Sequence, residues 1–329
     1  MELEFDYDHV VLYHKNCLDG LGAAWAAWRG LDKQCDLVAV QYGMKFETLF
    51  GVDFCNLIGK NVYCLDFSFD RESVKLLRNI CNFTLLDHHV TAAKALEGLY
   101  QDDFDEIAGY TRTPSIGVMP DVILVDQKYS GAMLAWKWFN PGAQFCPPFG
   151  IEAVQDRDLW QWKVTGSKEW TAAGFSYDMT VENFDKLVDR PYKDVISEGE
   201  ALLRSQEKNV KVLSKGARRF KLDEFDVPVV NANACFASDL GAVLAENEPF
   251  SLTYHDCADG RQFSLRTSCK DIKVNEIAER FGGGGHPGAA GFRIFFDDDQ
   301  FSHSHFEVRS AGYIKRGNEW SEYPIYKKD

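Results

Sequence analysis

The sequence predicts an α/β protein. It should have an N-terminal, mostly parallel sheet with helices on both faces, a helical connector, and a smaller C-terminal α/β domain. Three observations predict this. Short apolar runs alternate with helix-like segments through the first half, as in parallel strands joined by crossover helices. A charged, helix-prone stretch with one glycine follows, from Lys193 to Ser214. Strand-like runs then resume around the chain's densest cluster of glycines, Gly282 to Gly291.

The elements follow in order. DHVVLYH (Asp8 to His14) reads as a buried strand, and GLGAAWAAWRGL (Gly20 to Leu31) as a helix whose Trp25 and Trp28 have the spacing of a core face. DLVAVQY (Asp36 to Tyr42) and NVYCLDF (Asn61 to Phe67) read as strands. DRESVKLLRN (Asp70 to Asn79) is a helix with acidic residues in its first turn, where the helix dipole favours them. FTLLDHH (Phe83 to His89) is a strand, VTAAKALEGL (Val90 to Leu99) a helix, and DVILVDQ (Asp121 to Gln127) a further strand. Beyond the connector, strands are expected at Val227 to Asn233, Phe250 to Asp256, Arg261 to Ser268 and Ala289 to Phe296. Helices are expected near Ala237 to Asn247 and Lys273 to Phe281. The expected domains are residues 1–190, a connector at 191–216, and residues 217–329.

Composition narrows the function. A formal net charge of −14 argues against gripping long nucleic acid non-specifically, because neutralising phosphates drives that binding. A small or short nucleotide ligand, held in a local site with bound cations, remains compatible. No run approaches the ~18 apolar residues of a membrane span. The N-terminus is acidic where a signal peptide needs basic residues. Nine cysteines, odd in number and without a CxxC pair, suggest reduced thiols and a cytoplasmic location.

The chemistry-bearing residues gather at strand ends. His14 ends the first strand, with Asp19 at the entry to the next helix; Asp66 ends another strand; Asp87, His88 and His89 end a third. Asp156 and Asp158 lie in AVQDRDLWQW. In a parallel sheet these ends share one edge, where ligands bind. Oxygen and imidazole donors without a thiolate cluster suit Mn²⁺ or Mg²⁺, with Zn²⁺ and Fe²⁺ also open. Two such ions about 4 Å apart polarise a phosphoryl oxygen and make hydroxide from water near neutral pH. The GGGGHPGAAG run reads as an ordered phosphate-binding turn between helix and strand, presenting bare peptide N–H groups and His286.

Taken together, HKNCLDG (His14 to Gly20), the LDF around Asp66, DHH (Asp87 to His89) and DRD (Asp156 to Asp158) resemble four successive motifs of the DHH phosphoesterase superfamily. SLRTS (Ser264 to Ser268) and GGGGHPGAAGF (Gly282 to Phe292) resemble its companion DHHA1 domain. The resemblance runs from about residue 8 to residue 296. It implies two divalent ions, Mn²⁺ foremost: one held by His14, the residue at position 17 and Asp66, the other by Asp19, a bridging Asp66, His88 and Asp156. Asp87, His88 and His89 form the catalytic triplet, with His89 orienting the site or assisting the leaving group. Arg266, His286 and the amides of Gly283, Gly284 and Gly285 would hold a terminal phosphate of the substrate in the cleft between the domains. The chain departs from the pattern at Cys17, where relatives carry a metal-binding Asp. A thiolate ligand, a weakened first site or a substituting carboxylate are the alternatives. Asp156 is preferred over Asp158 as ligand.

Weaker candidates are read as structural. His303 and His305 fit a surface strand, and His255 to Cys257 ends a strand of the second domain. Trp160 or Trp162, beside the expected ligands, could border the substrate cleft. The expected activity is metal-dependent hydrolysis of phosphodiesters in short single-stranded RNA or DNA, a 3′→5′ exonuclease releasing nucleoside 5′-monophosphates. Cyclic-dinucleotide or linear dinucleotide hydrolysis is the nearest alternative, and a nucleotide sensor without catalysis the alternative of another class. No membrane partner is expected; any protein partner would be a second copy, as a homodimer.

Overall fold

The computed structural model of the chain describes residues 3–41, 44, 49–50, 55–104, 121–143, 145–222 and 224–296, and by backbone alone three short strands within 308–322. His303 and His305 lie outside the described residues. The chain divides into two compact units, Met1–Ser205 and Gln206–Asp329. That boundary falls inside a 22-residue helix, Tyr192–Leu213, which occupies most of the expected connector.

The first unit is built on five strands: β1 (His9–His14), β2 (Asp36–Val40), β3 (Asn61–Leu65), β4 (Asn82–Asp87) and β5 (Val122–Val125). All neighbours pair in parallel, in the order β2-β1-β3-β4-β5. Strand order therefore reverses beside β1, so β1 and β3 flank a topological switch point, where such sheets bind ligands. Alternation along each strand feeds two cores. Val11, Leu65, Leu86 and Leu124 face one side, with helix α1 (Leu18–Gly30). Val10, Leu12, Cys64 and Leu85 face the other, with α2 (Arg71–Ile80) and α3 (Val90–Ala95). The start of α2 lies where its acidic turn predicts: Asp70 Oδ1 accepts the amides of Glu72 and Ser73, each at 3.0 Å.

Four helices that the sequence reading leaves unassigned follow β5: α4 (Gly131–Phe139), α5 (Phe149–Asp158), α6 (Ser167–Gly174) and α7 (Val181–Asp189). The first, GAMLAWKWF, is buried over most of its surface, so it shows no amphipathic period to read. Trp25 of α1 is 2% exposed and stacks on Trp136 of α4 at 5.8 Å. Its indole N–H donates to Asp185 of α7 at 2.7 Å.

Helix α8 (Tyr192–Leu213) leads into the second unit. Its mixed sheet has the order β10-β11-β9-β8-β7-β6. The strands are β6 (Arg218–Leu222), β7 (Phe225–Asn231), β8 (Ser251–Asp256), β9 (Gly260–Arg266), β10 (Gly284–His286) and β11 (Ala289–Phe295). Only the β7–β8 pair is parallel. Helices α9 (Ala237–Leu244) and α10 (Val274–Glu279) complete it, over a core that includes Phe250, Leu252, Phe263, Leu265 and Ile277. His255 belongs to β8, and its neighbour Asp256 pairs with Arg261, a structural use of that motif. Three further antiparallel strands, β12 (Val308–Arg309), β13 (Tyr313–Arg316) and β14 (Glu319–Glu322), pair with one another.

The α/β class and the expected strands follow the sequence expectation, whereas β6 and β10 lie outside it. No helix among the described residues is long and apolar enough to cross a membrane. Replacing Trp25 by Ala removes the ring that joins α1, α4 and α7. We expect a loss of about 3–5 kcal/mol in urea unfolding; a loss below about 1 kcal/mol would contradict that role.

Candidate functional site

The carboxyl edge of the parallel sheet gathers the expected side chains. His14 ends β1, Asp66 follows β3, and Asp87 ends β4 with His88 and His89 directly after it. Asp66 has a left-handed backbone, φ 55°, which turns the chain out of β3 at that position. Such a conformation in a non-glycine residue costs on the order of 1–3 kcal/mol. Gly131, at the start of α4, makes room for it: a Cβ there would lie 2.5 Å from Asp66 Cβ and 2.8 Å from Oδ1.

Asp66 is 1% exposed and lies between two groups of donors. Its Oδ2 is 3.6 Å from His14 Nδ1; its Oδ1 is 3.2 Å from His88 Nε2 and 3.9 Å from His89 Nδ1. Burial alone would raise the carboxyl, but the nearby imidazoles of His14 and His88 and the charge of His89 hold it far below the usual carboxylate range. On the His14 side, donor atoms of His14, Cys17 and Asp66 fall within 4.8 Å of one another. On the His88 side, those of Asp19, His88 and Asp158 do the same, with His88 Nε2 at 3.5 Å from both Asp19 Oδ2 and Asp158 Oδ2.

Asp19 has a second tie. It is 1% exposed, and its two oxygens accept the Gly131 and Ala132 amides at 2.7 and 3.0 Å. The carboxylate thus meets the positive end of α4. The sequence reading omits Ser130, Gly131 and Ala132. A serine before an apolar run was the available signal, and Ser130 does cap α4 by accepting the Met133 amide. Asp87, fully buried, accepts the backbone amides of His88 and His89, and its Oδ1 lies 2.7 Å from His89 Nδ1. It orients His89 through Nδ1.

Asp156, the preferred ligand of the sequence reading, has hydrogen-bond partners of its own. Asp156 accepts the Lys163 and Val164 amides at 2.8 and 3.1 Å and the Ser167 hydroxyl at 2.5 Å. Its carboxylate is used up in closing the turn after α5, away from the cluster. Asp158, two residues on, reaches His88 instead. The pair lies at the end of a helix, where a step of two residues turns the side chain by about 200°. The same turn carries Trp160 and Trp162, both left-handed (φ 53° and 55°), with rings in edge contact at 4.9 Å. Trp160 is 48% exposed, whereas Trp162 lies beneath Arg157 and Lys168.

The donor set fits divalent cations. Asp87 Oδ2 and Asp158 Oδ2 are buried and accept no hydrogen bond among the described residues, and no donor sits within hydrogen-bond length of Asp66 Oδ2. Buried carboxylate oxygens are ordinarily satisfied; a cation would satisfy these. Burial and the neighbouring carboxylates raise Asp19 and Asp158 above the ordinary carboxylate range, with His88 opposing. Burial and the charges of Asp66, Asp158 and Asp19 raise the Cys17 thiol, against the Gly20 amide. For His88, burial alone would lower the imidazole; the bond to Asp66 and the charges of Asp158 and Asp19 outweigh it and push it up to about 10. His89 is likewise pushed up to about 9, chiefly by Asp87 against burial.

In the second unit the glycine run, expected as an ordered turn between helix and strand, includes a strand of its own. Gly284–His286 is a short strand, paired antiparallel with β11 through a tight turn at Pro287 and Gly288. Its glycines have packing reasons of their own. A Cβ on Gly283 would lie 2.1 Å from the Gly291 carbonyl oxygen, and Gly285 has φ 140° with Ala289 O only 2.6 Å from a Cβ. Ala289 pairs with His286 on one side and with Arg266 on the other. Directly paired residues share a face, so His286 and Arg266 stand on one face two strands apart, about 10 Å. Arg266 donates to Ser238 Oγ at 3.0 Å and packs on Gly241 of α9.

No protein-family model matches the chain. An uncharacterized protein of Acanthamoeba polyphaga mimivirus is 27% identical over 307 residues, which covers 87% of this chain and 67% of that protein. Among solved structures, the chain is similar to the pGpG-specific phosphodiesterase PggH of Vibrio cholerae (13% identity, 90% of this chain and 96% of that one, TM-score 0.47). It is also similar to RecJ of Thermus thermophilus in complex with Mn²⁺ (14% identity, TM-score 0.46). That match takes in 87% of this chain and 49% of RecJ, so the chain spans about half of RecJ's length.

Two outcomes follow from this geometry. Asp158→Asn should lower divalent-ion binding in calorimetry with little change in Tm. Asp156→Asn should instead destabilise by about 2–3 kcal/mol, because hydrogen bonds to a charged group are lost; the reverse assignment of effects would restore Asp156 as the ligand. In chelator-treated protein, the raised pKa values of His88 and His89 mean that folding binds protons. Their stabilisation is complete below about pH 6.5 and is lost as pH rises through about 9 to 10. Tm should fall across that window, and a Tm that rises there would refute the ion pairing.

Proposed function

We propose that the chain is a DHH-type, metal-dependent phosphodiesterase that hydrolyses short single-stranded oligonucleotides in the cytoplasm. It would act from the 3′ end and release nucleoside 5′-monophosphates. The observation that carries this reading is the convergence of His14, Cys17, Asp19, Asp66, His88 and Asp158 on one sheet edge, with carboxylate oxygens buried and unbonded. The order of the motifs along the chain supports the same reading. The acidic net charge of −14 favours a short substrate over a long strand.

His14, Cys17 and Asp66 would hold one divalent cation, and Asp19, His88 and Asp158 the other, with Asp66 between them. Bound there, the cations supply positive charge to the phosphoryl oxygens and acidify water. The protein's own groups supply position and protons. Asp19, fixed by the Gly131 and Ala132 amides, keeps the His88 side of the site in register with α4. Asp87 holds His89 by Nδ1, so the protonated ring would donate through Nε2–H to the departing 3′ oxygen. In the second unit, Arg266, His286 and the Gly283 to Gly285 backbone would bind a phosphate of the substrate.

The test is hydrolysis, with Mn²⁺ present, of a labelled dinucleotide, a five-mer and a cyclic dinucleotide. Turnover should be fastest on the linear substrates and produce 5′-monophosphates. Turnover confined to the cyclic compound would move the substrate class, and binding of all three without turnover would replace the enzyme by a nucleotide sensor. Asp66→Ala and His88→Ala should each lower kcat at least 10³-fold. His286→Ala should raise KM about tenfold or more on the dinucleotide, consistent with loss of a charge-assisted contact; an unchanged KM would remove it from the substrate site.

A further inference from the structure

The two donor groups around Asp66 differ in chemistry. The group with Asp19, His88 and Asp158 offers oxygen, nitrogen and oxygen; the group with His14, Cys17 and Asp66 offers nitrogen, sulfur and oxygen. Cys17 reaches its place by construction. Asn16 adopts a left-handed backbone (φ 59°) just after β1, and this reversal sets Cys17, in extended conformation (φ −124°, ψ 135°), at the N-cap of α1. Ser, Thr, Asp and Asn are the usual N-cap residues; the position here has a thiol.

A second observation points into the same group. Asp66 is 1% exposed, and among the described residues no donor lies within hydrogen-bond length of its Oδ2, the oxygen that faces His14 Nδ1 at 3.6 Å. Tetrahedral zinc ligands lie about 2.0–2.3 Å from the ion, which separates donor atoms by roughly 3.3–3.8 Å. The His14 to Asp66 distance already falls in that range, and donor atoms no more than 4.8 Å apart close on an ion with small side-chain movements. Thiolate selects softer ions such as Zn²⁺, whereas carboxylate and imidazole accept Mn²⁺ or Mg²⁺.

We propose that the centre is chemically asymmetric: His14, Cys17 and Asp66 form a sulfur-containing site selective for Zn²⁺, beside a harder site for Mn²⁺ or Mg²⁺ at Asp19, His88 and Asp158. Ligation forms a metal–sulfur bond and releases the thiol proton to solvent. The assignment rests on the metal-binding part of the proposed function and is independent of which substrate is cleaved.

Co²⁺ is a spectroscopic probe for it. Titrated into the full chain, Co²⁺ should give a near-ultraviolet thiolate-to-cobalt charge-transfer band together with visible ligand-field bands. Cys17→Ser should abolish the charge-transfer band and keep the visible bands. Cys17→Asp, which keeps an ionised donor, should lower the ratio of Zn²⁺ to Mn²⁺ affinity at least tenfold in competition calorimetry. Visible bands without charge transfer in the wild type, or a charge-transfer band that persists in Cys17→Ser, would overturn the sulfur site while leaving the metal centre standing. Failure of the wild type to bind Co²⁺, Zn²⁺ or Mn²⁺ would overturn both. Far-ultraviolet circular dichroism of each variant separates these outcomes from misfolding.

Discussion

The buried carboxylate of Asp66 is the constraint on which the first unit's site depends. A charge at 1% exposure is tolerable only with partners, because desolvation of an isolated carboxylate costs many kcal/mol. Histidines from two other strand ends supply those partners, His14 on one oxygen and His88 on the other. The left-handed turn at Asp66 aims it between them, and the missing side chain of Gly131 admits it beside α4. The switch point of the sheet sets the distance between these strand ends. Asp66 thus lies between the His14 side and the His88 side of the site.

Around it, acidic residues of similar appearance in the sequence have different tasks. Asp19 and Asp158 face His88, but Asp19 also closes the N-terminus of α4, so the site and the helical layer share one carboxylate. Asp87 holds His89 and accepts both neighbouring amides. Asp156 is absent from the donor groups found among the described residues. By accepting Lys163, Val164 and Ser167, it folds the turn that places Asp158 inward and Trp160 outward. The motif therefore divides its labour between a residue that braces and a residue that faces the site.

The glycine run of the second unit shows the same double use. Read along the sequence, it is an ordered turn of bare amides between helix and strand. In the fold it is an edge hairpin whose glycines allow one strand to lie close against another. That packing aligns His286 with Arg266 on one face, separated by Ala289. A phosphate site there would be rigid, because its spacing is set by strand pairing and not by a mobile loop.

The sequence by itself determined the parallel sheet, its order of alternating helices, and the strand-end positions of His14, Asp66, Asp87, His88 and His89. These follow from local apolar patterning and from the geometry that gives parallel strands one common edge. It also marked Trp25 as core through helical spacing. Tertiary structure alone decided which of Asp156 and Asp158 faces His88, since both are acidic and two residues apart at the end of one helix. It alone supplied the Gly131 and Ala132 amides, which approach Asp19 from more than a hundred residues away in the chain. It decided, too, that Cys17 shares a donor group with His14 and Asp66. Spacing along a chain fixes which face a side chain takes; only packing between elements fixes what that face meets.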